Sequence, residues 1–428
     1  MKNKDEQREL CYIAKIDDIR PIAGKDRVEC ACVGGWTVMV KKGQFNPGDI
    51  AVYFEIDSRV PEEPPFEFLE RTKYKIKTQV YKTDDGRFYS QGLLMGGDDF
   101  GWEALRDDNG CIVQYHDKER RRYYIEGSFL TETLGITYAD DADNERKDNN
   151  NQSEKAIMAN HKKFFKRKIV RYLMKFPFFH NLFLDIFKHK KKKKKNDFPY
   201  WVKKTDEERV QNCSYLFPDC KETWVATEKI DGSSATYTMR NDKHRKLYVC
   251  SRNVLFDTPE KENNNFYKNT CGNIWLEIAD KYGMQEKLSR MIDDLQKMYF
   301  SYSFGDTDKI EYVTVQGEIY GGKIQQRNYG DEHRIAVFNV IYKTKNGLPI
   351  RMNPLTGKDF CDKYDLPFVP IVQTNITLPS TCQEVVDMAH GTSVIDGGMR
   401  EGLVFRSYDG VQSFKAVDPE FLIKYHSN

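Results

Sequence analysis

The sequence predicts a two-part protein: a small all-β barrel first, then a mixed α+β domain with antiparallel sheets. Three observations carry this. Short apolar runs recur at roughly ten-residue spacing near the N-terminus, as small barrels require. A polar stretch, Asp140–Ser153, is followed by a segment, Lys155–Lys195, with fifteen Lys and Arg against the single acid Asp185. Beyond it, strand-like runs alternate with two apolar-striped segments of helical period.

The first strands are expected at Tyr12–Ile16, Val28–Val33, Trp36–Val40 and Ile50–Ile56, broken by Gly34-Gly35 and Pro47-Gly48-Asp49. A five-stranded barrel of this kind often binds oligonucleotides, although the fold alone is equally compatible with a scaffold. The Asp- and Asn-rich stretch cannot pack a core and reads as a linker. This places the barrel module at 1–135, a polar then basic linker at 136–196, and the α+β domain at 197–428. There, strands are expected at Trp224–Glu228, Ala235–Met239, Leu247–Ser251, Val313–Gln316, Ile335–Tyr342 and Leu403–Arg406. Helices are expected at Ile274–Tyr282 and Glu286–Tyr299, the second with a core stripe of Leu288, Met291, Ile292, Leu295 and Met298.

The chain has 428 residues and a formal net charge of +2. That small figure conceals a segment of +14 within a remainder of 52 basic against 64 acidic residues, so near-neutrality does not exclude a nucleic-acid partner. The segment is expected either as a cationic track for a phosphate backbone or as a solvated run or nuclear-localisation patch; a third, lesser reading is a basic amphipathic helix on an anionic membrane over Phe164–Phe187, which Pro177 interrupts. A mean hydropathy of −0.71 argues against a membrane protein, and the most apolar window, Tyr172–Phe187, is broken by Lys175, Pro177 and Asp185. The N-terminus lacks an apolar leader core, so an intracellular site, cytoplasmic or nuclear, is expected. The ten cysteines fit a reducing compartment; Cys30/Cys32 and Cys213/Cys220 lack zinc spacing, and most thiols should be buried.

No GxxxxGK[ST], GxGxxG or HExxH occurs, which sets aside a P-loop, a dinucleotide site and a zincin. What occurs is Lys229-Ile230-Asp231-Gly232, directly after the expected strand Trp224–Glu228. Alone it is only suggestive, since Val394-Ile395-Asp396-Gly397 repeats its last three residues. In order behind it come Cys250-Ser251-Arg252-Asn253, Gln316-Gly317-Glu318-Ile319, Phe338-Asn339-Val340, Arg400-Glu401-Gly402-Leu403 and Ser413-Phe414-Lys415-Ala416-Val417. This ordered set resembles the covalent nucleotidyltransferase superfamily of DNA ligases, RNA ligases and mRNA capping enzymes.

The resemblance implies that Lys229 attacks the α-phosphorus of a nucleoside triphosphate, an attack that requires a deprotonated amine and hence neighbouring cations or desolvation. It implies Lys415 and Arg252 as phosphate contacts, Glu318 and Glu401 as catalytic carboxylates, and Phe338 as the stacking surface for the base, with Glu228 also in the nucleotide site. Asp231, Glu318 and Glu401 are hard oxygen donors suited to Mg²⁺, with Mn²⁺ as a substitute. One departure stands out: many members carry a second lysine two residues after Lys415, where this chain has Val417. Lys424, on an expected helix begun by Asp418-Pro419, is the replacement this reading assigns.

Superfamily DNA ligases and capping enzymes usually carry an OB domain after the last motif, whereas here a β-rich module comes first. That order resembles a subgroup of ATP-dependent RNA ligases with an OB-like module followed by the adenylation domain. The lead-in Lys203–Asn212 and the stretch Asp26–Asp57 look like the same subgroup. Implied are ATP as cofactor, a monomer, and RNA with 3′-OH and 5′-phosphate ends as partner, at nicks in a duplex on an RNA or DNA template. Competing readings are a DNA nick ligase or GTP-dependent guanylyltransferase on the same fold, or a non-enzymatic nucleic-acid-binding protein with a decayed site. A membrane partner is not expected.

Overall fold

The computed structural model describes residues 9–139, 198–256, 273–300, 309–325 and 327–426. Its N-terminal module begins with β1 (Cys11–Lys15), β2 (Asp18–Ile22), β3 (Lys25–Val33), β4 (Trp36–Lys41) and β5 (Ile50–Phe54). β1 pairs with β5, and β3 lies between β2 and β4, all antiparallel. Every residue of β5 is buried because the strand divides two cores. Ile50, Val52 and Phe54 face Ile13, Trp102 and Tyr115, while Ala51 and Tyr53 face Trp36 and Val38. β2 escapes the apolar pattern because its sequence, Asp-Ile-Arg-Pro-Ile, carries a proline, which an edge strand tolerates.

The module continues through β6 (Ser58–Arg59), β7 (Gln79–Thr83), β8 (Gly86–Ser90), β9 (Leu93–Met95), β10 (Glu103–Arg106), β11 (Ile112–Asp117), β12 (Arg122–Tyr124) and β13 (Thr137–Tyr138). β13 pairs back onto β6 and Ile136 is buried, so the module holds its chain as far as Ala139, past the expected end at 135. The Lys155–Lys195 segment lies outside the described residues.

The second domain is built from β14 (Glu208–Arg209), β15 (Thr223–Lys229), β16 (Ser233–Arg240), β17 (Leu247–Cys250), β18 (Leu255–Phe256), β19 (Ile310–Tyr320), β20 (Arg334–Thr344), β21 (Ile350–Arg351), β22 (Ile371–Thr377), β23 (Gly402–Ser407) and β24 (Ser413–Val417). They form two sheets, ordered β14-β24-β23-β15-β22 and β18-β17-β16-β19-β20-β21. The chain crosses from one to the other through Ile230-Asp231-Gly232, between β15 and β16. Helices α1 (Ile274–Lys281) and α2 (Met284–Phe300) cover the second sheet. Leu288, Met291, Ile292 and Leu295 bury against Ala235, Val313 and Val315. Met298 departs from the expected stripe: it is 57% exposed, so the apolar face ends at Leu295. Also present are α3 (Pro354–Lys363), α4 (Cys382–Met388) and α5 (Pro419–His426). The Asp418 carboxylate accepts the Glu420 N–H at 2.8 Å, starting α5 as the Asp-Pro pair predicts.

The two domains dock through the lead-in and α5. The Trp36 indole donates to Asn212 Oδ1 at 2.6 Å, the Asn212 amide donates to Glu55 at 2.7 Å, and Arg209 pairs with Asp57 at 2.8 Å. Val417 and Leu422 complete the apolar cluster of Trp36, Val38 and Tyr53, while Arg87 and Tyr89 reach Glu420. Every described cysteine is free, most of them buried. Among the described residues, no helix is long and apolar enough to cross a membrane.

Candidate active site

Lys229 ends β15, and its strand partner is Gly402 of β23, directly after Glu401. That register brings Lys229 Nζ to 2.7 Å from Glu401 Oε1. Across the seam, β16 pairs with β19 so that Ser234 stands opposite Glu318, and the Ser234 hydroxyl donates to Glu318 Oε2 at 3.2 Å. The Asp231 N–H donates to the Tyr329 hydroxyl at 3.3 Å. Two glycines allow this closeness. A Cβ on Gly232 would lie 2.2 Å from the Ile319 carbonyl oxygen, and one on Gly402 the same distance from that of Ala416. The glycine of the tetrapeptide is thus required by backbone approach. Gly232→Ala is expected to push β16 and β19 apart beside Glu318 and cost about 1–3 kcal/mol of stability, measured by denaturant unfolding.

These residues open onto a cavity of about 1030 Å³ between the domains. It is lined by Glu228, Phe338, Arg406, Arg252 and Lys415 of the second domain and by Asp57, Lys75, Lys77 and Tyr138 of the N-terminal module. Phe338 has the Arg406 guanidinium 5.8 Å from its ring centroid. Glu228 is buried and accepts the Val394 N–H at 2.8 Å and the Ser393 hydroxyl. Asp206 gathers two of the cations, Arg252 at 2.7 Å and Lys415 at 3.7 Å, and the Arg252 guanidinium lies 4.9 Å from the centre of the Tyr138 ring.

Electrostatics sharpen the picture. Burial alone would lower the pKa of Lys229, but Glu401, Glu318 and Asp231 together outweigh it and hold the ammonium above its ordinary range. The expected depression by neighbouring cations is therefore not met in the free protein; the nearest charges are carboxylates, and Lys415 is engaged by Asp206. Burial, reinforced by Glu401 and Asp231 against Lys229, pushes Glu318 up to about 8. Asp231 Oδ2 and Glu401 Oε2 are buried without a hydrogen-bond partner. Such crowded carboxylate oxygens fit a hard divalent cation. Among the described residues, no three His, Cys, Asp or Glu side chains converge as a metal cluster.

Lys229, Asp231, Glu228, Arg252, Glu318, Phe338, Glu401 and Lys415 all line this one cavity. Lys424 does not: it is exposed on α5, its ammonium 5.0 Å from the Tyr425 ring. His426 enters instead, Nε2 lying 3.6 Å from Asp231 Oδ1. Sequence reasoning missed Asp206, Tyr329, Lys75, Lys77 and His426. Only Asp206 had a signal, its place in the lead-in Lys203–Asn212.

Comparison with known proteins gives a consistent result. Residues 222–426 match the RNA ligase family, and residues 10–94 match an OB-fold domain. No curated protein matches the chain. The chain is similar to solved structures of a Naegleria gruberi RNA ligase. The form with PPi shares 23% identity at TM-score 0.61, covering 99% of this chain and 100% of that one. A mutant with AMP and Mn also shares 23% at TM-score 0.61, covering 98% and 100%. A mutant with ATP and Mn shares 22% at TM-score 0.61, over the same shares of the two chains.

Proposed function

We propose that this chain is an RNA ligase, as the match of its residues 222–426 to the RNA ligase family supports, and that it seals 3′-OH and 5′-phosphate RNA ends at nicks in a duplex through a lysyl-AMP intermediate. The observation that carries the reading is Lys229 Nζ, recessed at the seam of two sheets, 2.7 Å from Glu401 and in one cavity with Glu318, Arg252 and Lys415.

The nucleotide base stacks on Phe338, and Lys75 and Lys77, which line the same cavity as Lys229, are cations within that cavity for its phosphates. Lys229 must first lose a proton. Nζ then forms a bond to the α-phosphorus, the bond from that phosphorus to the bridging oxygen breaks, and pyrophosphate leaves with the electron pair. Lys415 and Arg252 meet the charge that grows on the α-phosphate oxygens. In the later steps AMP passes to the RNA 5′-phosphate, and the 3′-OH displaces it. Asp231, Glu318 and Glu401 would hold Mg²⁺ or Mn²⁺, which when bound neutralises phosphate charge and favours the amine form of Lys229. That the Naegleria enzyme is known with ATP and Mn, with AMP and Mn, and with PPi supports the same nucleotide and metal here.

The test is incubation of the full chain with Mg²⁺ and α-phosphate-labelled ATP or GTP, followed by nicked RNA or DNA duplexes. Label from ATP and sealing of the RNA nick are expected. Label from GTP alone, or sealing of DNA alone, would overturn the assignment in favour of a guanylyltransferase or a DNA ligase.

A further inference from the structure

We propose that His426 is a nucleotide-contacting residue of the adenylylation step, its imidazole Nε2–H donating to the phosphates that leave as pyrophosphate. The assignment rests on the lysyl-AMP reading above.

The first observation is an unfinished polar set. His426 Nε2 stands 3.6 Å from Asp231 Oδ1, and Nε2, Asp231 Oδ2 and Glu401 Oε2 are all buried atoms without a hydrogen-bond partner. Polar atoms left this way carry a desolvation cost that a ligand can relieve.

The second is company. His426 lines the cavity that also holds Lys229, Phe338 and, from the N-terminal module, Asp57, Lys75 and Lys77, and Asp231, Glu401 and Asp57 all act on its imidazole. A triphosphate with its base on Phe338 and its α-phosphorus at Nζ places its outer phosphates in this same cavity, among those carboxylates, where the imidazole N–H that α5 brings is a donor beside Lys75 and Lys77.

The third is the gap in the last motif. Val417, where many superfamily members have lysine, packs with Leu422 in the apolar cluster of Trp36, Val38 and Tyr53 and also lines the cavity, so this position brings no cation to it. The docking of α5 through Arg87 and Tyr89 on Glu420 fixes where its last turn points, and there His426 supplies a donor. In this step His426 donates a hydrogen bond and transfers no proton; the bond made is Nζ to phosphorus, and the pair released leaves on pyrophosphate.

The experiment uses full-length protein carrying a preformed lysyl-AMP, with inorganic pyrophosphate titrated to release ATP. His426→Ala should raise the half-saturating pyrophosphate about tenfold or more, the worth of one hydrogen bond to a charged group. His426→Gln, which keeps an N–H donor, should recover most of that loss. At saturating pyrophosphate the rate of ATP release should fall less than the half-saturating concentration rises, the split expected of a pyrophosphate contact and not of a general loss of the site. Unchanged pyrophosphate saturation, a Gln variant as poor as Ala, or a fall in the saturated rate with no change in the half-saturating concentration would each overturn the assignment. Wild type that forms no lysyl-AMP would instead overturn the reading on which it rests.

Discussion

Lys229→Ala is expected to abolish covalent AMP uptake outright, and Lys229→Arg to abolish it equally while sparing the fold. The two variants separate two duties of one side chain. In the proposed mechanism Lys229 supplies the amine that bonds to phosphorus, and a guanidinium cannot replace it. As counter-ion, it faces Glu401 at 2.7 Å with Glu318 and Asp231 close behind. Glu318 already stands at about 8 with the lysine present; without the cation it moves further up. A carboxyl whose folded pKa exceeds its unfolded one binds more protons in the folded state, so stability falls as pH rises from the ordinary carboxylate range through the folded pKa. In chelator, the melting temperature of the Ala variant should therefore fall further below wild type at pH 9 than at pH 6, and the Arg variant should not show that widening. Sealing of pre-adenylylated RNA should persist in the Arg variant, because the bond broken there does not involve Nζ. Equal labelling of either variant, or equal pH-dependent losses in both, would refute this division.

The chemistry-bearing motifs were legible because each is local: a lysine at a strand end, a glycine where two backbones meet, a carboxylate at a fixed offset. Gly232 and Gly402 are read from sequence as motif letters, and the structure gives their cause in carbonyl oxygens that leave no room for a Cβ. What sequence could not supply was phase and sum. Lys424 and His426 stand two positions apart on a helix, which turns them about 200° from one another; only the docking of Leu422 into the N-terminal module decides which faces the cavity. Likewise the sign of the Lys229 shift depends on burial set against three carboxylates, a balance that spacing does not encode. Lys75 and Lys77 precede β7 in a stretch without period, so no pattern pointed to them. α3 had a signal, Asn353 capping Pro354, yet few of its residues are buried, among them Pro354, Gly357 and Cys361, too weak a stripe to stand out.

Glu207→Ala is expected to be among the most destabilising single changes in the second domain, about 3–5 kcal/mol. Glu207 sits in the lead-in, before the first strand of its sheet, and receives Arg406 at 3.1 Å, Arg351 at 3.4 Å and the Ser413 hydroxyl. Arg406 is fully buried on β23, and burial draws its guanidinium down to about 10 even with that carboxylate beside it. Removing Glu207 strands this cation in the interior, which costs far more than the ion pair contributes when intact. Glu207→Gln keeps an acceptor and loses the charge, so it should fall between Ala and wild type. The loss should also reach the nucleotide, because Arg406 supports the Phe338 ring from 5.8 Å: the Ala variant, studied below its unfolding transition, should need more ATP for half-maximal labelling. Denaturant unfolding with an unchanged slope and a lower midpoint is the measurement. A Glu207→Ala midpoint within about 1 kcal/mol of wild type would mean that Arg406 finds another partner or water, and that the lead-in is not what holds Arg406 in the site.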